Sequence, residues 1–128
     1  MPYTITVDPG RRLALVVGSG PNDLASSLAA MDDLASRPDF LPGYGMLCDF
    51  RLNEYTPGAS DASALAHAYS ERFKGRPMAV VVSGLLHYGV ANMITTLIQL
   101  RGIKVAAFRD LDEAAAWIES QLRAASMS

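Results

Sequence analysis

Three features of the amino-acid sequence place this chain in the α/β class, as a mixed five-stranded sheet with the element order ββαβαβαβα. The stretch Arg76-Pro77-Met78-Ala79-Val80-Val81-Val82-Ser83-Gly84 is apolar for five residues between Pro77 and Ser83-Gly84, the pattern of a strand buried on both faces. It is too short to span a membrane, and its β-branched run is a poor helix former. Along the chain, β-rich runs alternate with helical periodicity, which implies largely parallel strands joined by right-handed helical crossovers. At the N-terminus, Asp8-Pro9-Gly10 separates two β-rich runs, so the first strand is expected to turn back antiparallel on the second.

The elements follow in order. Tyr3 to Val7 and Leu13 to Val17 form the hairpin, and Gly18-Ser19-Gly20 reads as the loop that leaves it. Leu24, Leu28, Met31 and Leu34 then recur at helical spacing, with Pro21 suited to the first turn and Asp23 to the positive end of the helix. This helix is expected to end near Ala35-Ser36. A loop with two prolines, Pro38 to Gly43, precedes a third strand over Tyr44 to Phe50. The polar connection Arg51 to Ala59 leads to a helix starting near Ser60 or Asp61, whose inner face carries Ala62, Leu65, Ala66, Tyr69 and Phe73. After the central strand, the second half of Gly84 to Arg101 is expected to be helical, with Val90, Met93, Ile94, Leu97 and Ile98 facing inward and Gly102 as a stop. Lys104 to Phe108 is the fifth strand. Asp110 opens the last helix, and Glu113 three residues on completes a capping-box pattern. Residues 1–123 read as one domain and 124–128 as a fraying tail.

Composition narrows the function classes. The 128 residues are 50% hydrophobic and 19% charged, enough apolar surface for a compact core and too little charge for a disordered chain. A formal net charge of −2 offers no basic surface for nucleic acid. Cys48 is the sole cysteine, which excludes an intrachain disulfide and a cysteine-rich zinc site, and its apolar neighbours make it a packing residue. His67 and His87 form no helical i, i+4 pair, so no metal is expected, and no cofactor fingerprint is present. Met1-Pro2-Tyr3-Thr4-Ile5 lacks the basic and long apolar regions of a secretion signal, no stable membrane insertion is expected, and the cytoplasm is the expected location. The central and fifth strands offer apolar residues to both sides, so a helix of this chain or the partner in a homodimer must cover the second face.

Three stretches carry a family likeness: Leu47-Cys48-Asp49-Phe50-Arg51, His87 to Met93, and Val105-Ala106-Ala107-Phe108-Arg109-Asp110 with its continuation to Trp117-Ile118. Together they resemble the SpoIIAA-like bacterial proteins of the STAS superfamily. That resemblance implies a SpoIIAA-like βα superhelix, a fold shared by anti-sigma-factor antagonists and Sec14-type lipid carriers. In the antagonists, a serine that opens the helix after the third strand is phosphorylated by a partner kinase. Ser60 and Ser63 are the residues of this chain nearest to that position, although the family's Asp-Ser motif is not reproduced in Gly58-Ala59-Ser60-Asp61.

Loops after the strands' carboxyl ends gather on one rim in such folds, and ligands bind there. The rim is expected to collect Gly18, Ser19 and Gly20, then Asp49, Arg51 and Asn53, then Ser83, His87 and Tyr88, then Arg109 and Asp110, with Ser19, Asp49, Arg51, Ser83, His87, Tyr88 and Arg109 as ligand-binding candidates. Gly18-Ser19-Gly20 could cradle an anion on backbone N–H groups or simply make a tight turn. Asp49 and Arg51 could hold a polar ligand or pair with each other. Ser83, His87 and Asp49 contain the residue types of a hydrolytic triad without the Gly-x-Ser-x-Gly elbow. Tyr88, Met93 and Phe73 could line an apolar cavity or pack in the core, where Trp117 is also placed.

The expected function is therefore a non-enzymatic binding or regulatory module that recognises a protein partner or small ligand at the βα-loop rim, with phosphorylation of Ser60 or Ser63 as its switch. The alternative is a carrier of a small hydrophobic molecule, and a Ser/His hydrolase is a minor third.

Overall fold

A computed structural model describes residues 3–127; Met1 and Pro2 of the stretch read for a leader, and Ser128 of the expected tail, lie outside them. The elements are β1 (Tyr3–Asp8), β2 (Leu13–Gly20), α1 (Leu24–Ser36), β3 (Gly45–Asn53), α2 (Ala59–Arg72), β4 (Met78–Val81), α3 (Leu85–Gln99), β5 (Val105–Phe108) and α4 (Leu111–Met127). The strands lie side by side in chain order, β1-β2-β3-β4-β5. β1 runs antiparallel to β2, with Ile5 opposite Val16, and the remaining pairs are parallel. This is the mixed α/β sheet that the alternation of β-rich and helical segments predicts.

Strand order decides where the helices go. Each right-handed crossover that steps to the next strand in the same direction places its helix on the same side. Accordingly α1, α2 and α3 share one face, where Met31, Leu34, Leu65 and Ile98 pack on Ala14, Cys48 and Val80. α4 follows the last strand and crosses to the other face, where Ala114, Ile118 and Leu122 cover Leu13, Leu47, Ala79 and Val81. The second apolar face is thus covered by a helix of the same chain. All four residues of β4 are buried, as its unbroken apolar run requires.

Several boundaries differ from the sequence reading. Gly18-Ser19-Gly20 is not a loop: β2 continues through it, pairing Ser19 with Leu52 and Gly20 with Asn53 beyond an irregularity after Val17. β3 lengthens to Asn53 to match. α1 begins at Leu24, one residue after Asp23, whose carboxylate accepts from Ser26 N at 2.8 Å while Ser26 Oγ accepts from Asp23 N at 3.0 Å. That reciprocal cap leaves Pro21 outside the helix. α3 occupies the full segment rather than its second half. Its buried line is Ala91, Thr95 and Ile98, and Met93, two residues and roughly 200° from both Ala91 and Thr95, is 41% exposed instead of facing inward. At α4 one half of the expected box forms, Glu113 N donating to Asp110 Oδ1 at 3.0 Å.

Arg76 fixes the proline loop before β3. Its guanidinium lies 3.7 Å from the centre of the Phe40 ring and donates to the carbonyls of Phe40, Leu41 and Tyr44 at 2.7–3.2 Å. Among the described residues, no helix is long and apolar enough to cross a membrane.

A candidate ligand cavity between sheet and helices

A cavity of about 100 Å³ lies between the three-helix layer and the upper half of the sheet. It exists because two inward helix positions carry short side chains, Ser27 on α1 and Ala91 on α3, both lining the space. Larger residues close its walls: Phe50 and Val80 from the strands, Met31, Leu65 and Tyr69 from the helices. Tyr3 stands at the β1 side, and its ring meets Phe50 edge-on with centroids 5.7 Å apart. No lysine, arginine, aspartate or glutamate lines the space. The surroundings are therefore apolar and of low dielectric, suited to a neutral guest.

Polar groups on the wall form a directed chain. The Ser27 hydroxyl donates to the Asp23 carbonyl at 2.8 Å, so in its 2.8 Å contact with Tyr3 it accepts and the phenol donates. Tyr3 in turn accepts from Asn53 Nδ2 at 3.4 Å. The orientation of the Asn53 amide is set by Asn22, whose Nδ2 is surrounded by the acceptors Ser19 O, Gly20 O and Asn53 Oδ1. Thr95 Oγ1 is committed to the Asn92 carbonyl at 3.1 Å, and the Tyr55 phenol donates to Asp61 Oδ2 at 2.7 Å. Burial and that bond to the Asp61 carboxylate both raise the Tyr55 pKa, which keeps the phenol protonated.

The mouth is bridged by one hydrogen bond. His87 Nε2, in the first turn of α3, lies 2.9 Å from Thr56 Oγ1 in the loop between β3 and α2. Of the residues named as ligand candidates from sequence, His87 lines the cavity, and Tyr88 is half-buried beside the same core without lining it.

The other candidates lie elsewhere. Asp49 and Arg51 share the α4 face with Leu47 and Val17, where Arg51 grips Asp49 by two bonds of 2.8 Å. The bonds from Arg51 hold the Asp49 carboxyl below its ordinary pKa. Ser83 and Arg109 are exposed, in the segments after β4 and β5, and Ser19 is exposed in β2. Ser60 and Ser63 are exposed near the N-terminus of α2. No hydrogen bond among the described residues joins Ser83, His87 and Asp49. Phe73 and Met93 do not line the cavity; Phe73 is fully buried between Phe40 and Tyr69. Cys48 is 1% exposed, and burial pushes its thiol pKa up to about 12. The described residues hold no cluster of three or more His, Cys, Asp or Glu that could bind a metal ion.

Sequence reasoning missed Tyr3, Ser27 and Tyr55 as cavity residues and placed Asn53 on the loop rim, where it lines the cavity. Tyr3 carried a usable signal, since it shares the odd-numbered side of β1 with the core residues Ile5 and Val7. Set against protein-family models, curated proteins and solved structures, the chain matches none of them.

Proposed function

We propose that this protein binds a small neutral apolar molecule in the cavity between its sheet and its three-helix layer, as a non-catalytic carrier or ligand-responsive module. The observation that carries this reading is a space of about 100 Å³ walled by all three helices of that layer and lined by no lysine, arginine, aspartate or glutamate. Its size sets the guest. Drug-sized ligands need roughly 300–1,000 Å³, whereas a dry apolar cavity of about 150 Å³ takes benzene. A single ring, or the end of a longer chain threaded past the Thr56–His87 bridge, fits the space. The resemblance to SpoIIAA-like proteins and Sec14-type carriers supports the same choice, and a cytoplasmic setting suits it.

The test is a benzene titration of ¹⁵N-labelled protein followed by amide NMR, with Ala91→Leu as the filled-cavity control. Saturable shifts confined to residues around Tyr3, Leu65 and Ala91, and lost in the variant, are expected. Linear, scattered shifts that persist in Ala91→Leu overturn the reading.

A further inference from the structure

The cavity wall holds one hydroxyl that is not spoken for. Tyr69, on α2, lines the space and makes ring contact with Phe73 at 5.7 Å, yet its phenol takes part in no hydrogen bond among the described residues. Every other hydroxyl on the wall is committed: Tyr3 to Ser27, Ser27 to Asp23, Thr95 to Asn92 and Tyr55 to Asp61. Among the described residues, no side-chain nitrogen or oxygen sealed from solvent is without a partner, so the Tyr69 oxygen borders accessible space rather than close-packed atoms. A hydroxyl that faces open space without a protein partner is free to pair with what enters that space.

The chemistry of that partner is restricted. A phenol carries one proton to donate, and burial raises its pKa well above the ordinary value, so the proton stays on. An acceptor must meet it. With no lysine or arginine on the wall, a carboxylate or phosphate would lose most of its hydration without a permanent cation to compensate. A neutral carbonyl satisfies both conditions. Another donor on the wall, Asn53 Nδ2, is directed at Tyr3 at 3.4 Å.

Resting on the cavity reading above, we infer that the guest is a neutral molecule of single-ring size bearing a carbonyl-type acceptor, which receives the hydroxyl proton of Tyr69. Tyr69 is then the residue that selects among apolar guests of equal shape.

Two probes of matched shape test this, cyclopentanone and methylenecyclopentane, which differ by oxygen against a methylene group. Affinities are measured by NMR titration on the full chain, for wild type, Tyr69→Phe and Asn53→Leu. Removing the phenolic oxygen is expected to weaken cyclopentanone binding about three- to tenfold while methylenecyclopentane stays within about twofold. Asn53→Leu should leave the ratio of the two affinities unchanged. An unchanged ratio in Tyr69→Phe, or a ratio that moves with Asn53→Leu instead, overturns the assignment to Tyr69. Failure of both probes to bind wild type overturns the cavity reading itself, and this inference with it.

Discussion

The Tyr3 and Phe50 rings meet at 73° above Gly18, the residue between them in the sheet. A Cβ at Gly18 would lie 2.9 Å from Tyr3 Cε1 and 3.0 Å from Phe50 Cδ1, closer than side chains tolerate. Both rings also wall the cavity, so glycine here sets the cavity's shape as well as the packing. Gly18→Ala is expected to lower stability by about 1–3 kcal/mol, the usual cost of overpacking, measured by urea unfolding. An unchanged midpoint would show that the rings relax without cost.

Leu65 reaches the cavity from α2 and is 6% exposed. Truncation to alanine removes core contacts and merges their volume with the existing space. Leu65→Ala should cost about 2–5 kcal/mol, which a domain with a stability of roughly 5–15 kcal/mol survives. It should also admit a two-ring probe such as indole that wild type rejects. Stability lost without any gain in guest size would mean that the walls collapse inward.

The bond between Thr56 and His87 ties the loop after β3 to the start of α3 across the mouth. Thr56→Val keeps the shape of the side chain and removes the hydroxyl. Benzene exchange measured by NMR lineshape should then become faster in both directions, with the equilibrium affinity little altered, because Thr56 itself does not line the cavity and the His87 ring stays in place. Unchanged exchange rates would place the route elsewhere.

Much of this architecture was legible from pattern alone, for reasons that particular residues show. Val80 and Val81 sit in an unbroken apolar run because strand β4 is sandwiched between helices, and the burial of both sides leaves no alternation to misread. The end of β2 misled for the opposite reason. Gly18 and Gly20 are poor strand formers; the rings of Tyr3 and Phe50, 15 and 32 positions away, require glycine at 18, and a φ of +72° favours it at 20. The site was harder still. Strand exits were legible, but the face to which each side chain points was not, so Asp49 and His87, on opposite sides of the sheet, looked like neighbours on one rim. Tyr69 was legible as a core-facing residue of α2. That its hydroxyl finds no partner among the described residues is decided by side chains of other elements, which the spacing along α2 does not record.

On the α4 side, Arg51 holds the Asp49 carboxyl below the ordinary aspartate value of 3.8. The sign follows from linkage. The folded state binds the proton less readily than the unfolded state, so the pair's contribution is complete above the unfolded pKa and is lost as pH falls through the folded one. In Arg51→Gln the native titration of Asp49, followed by ¹³C NMR of its carboxyl carbon, should move up toward the ordinary range. Stability at neutral pH should fall only slightly, since an ion pair with one exposed partner contributes little. A titration that does not move would assign the depression to something other than Arg51.

Cys48 offers a direct reading of how tightly the three-helix layer closes on the sheet. Its thiol is 1% exposed in the middle of β3, and burial alone pushes its pKa up to about 12, so the native protein presents neither access nor thiolate to an aromatic disulfide reagent at pH 8. Labelling must wait for the layer to open. When opening and closing are fast relative to the chemistry, the labelling rate follows the population of the open form and hence the stability. Leu65→Ala, at a cost of about 2–5 kcal/mol, should therefore speed labelling by about 30- to several-thousand-fold, whereas Ser60→Ala, on the exposed first turn of α2, should leave it near the wild-type rate. Labelling of the wild type within minutes and without denaturant would mean that the helix layer lifts locally at β3, and equal rates in Leu65→Ala and wild type would show that the opening seen by Cys48 does not involve α2.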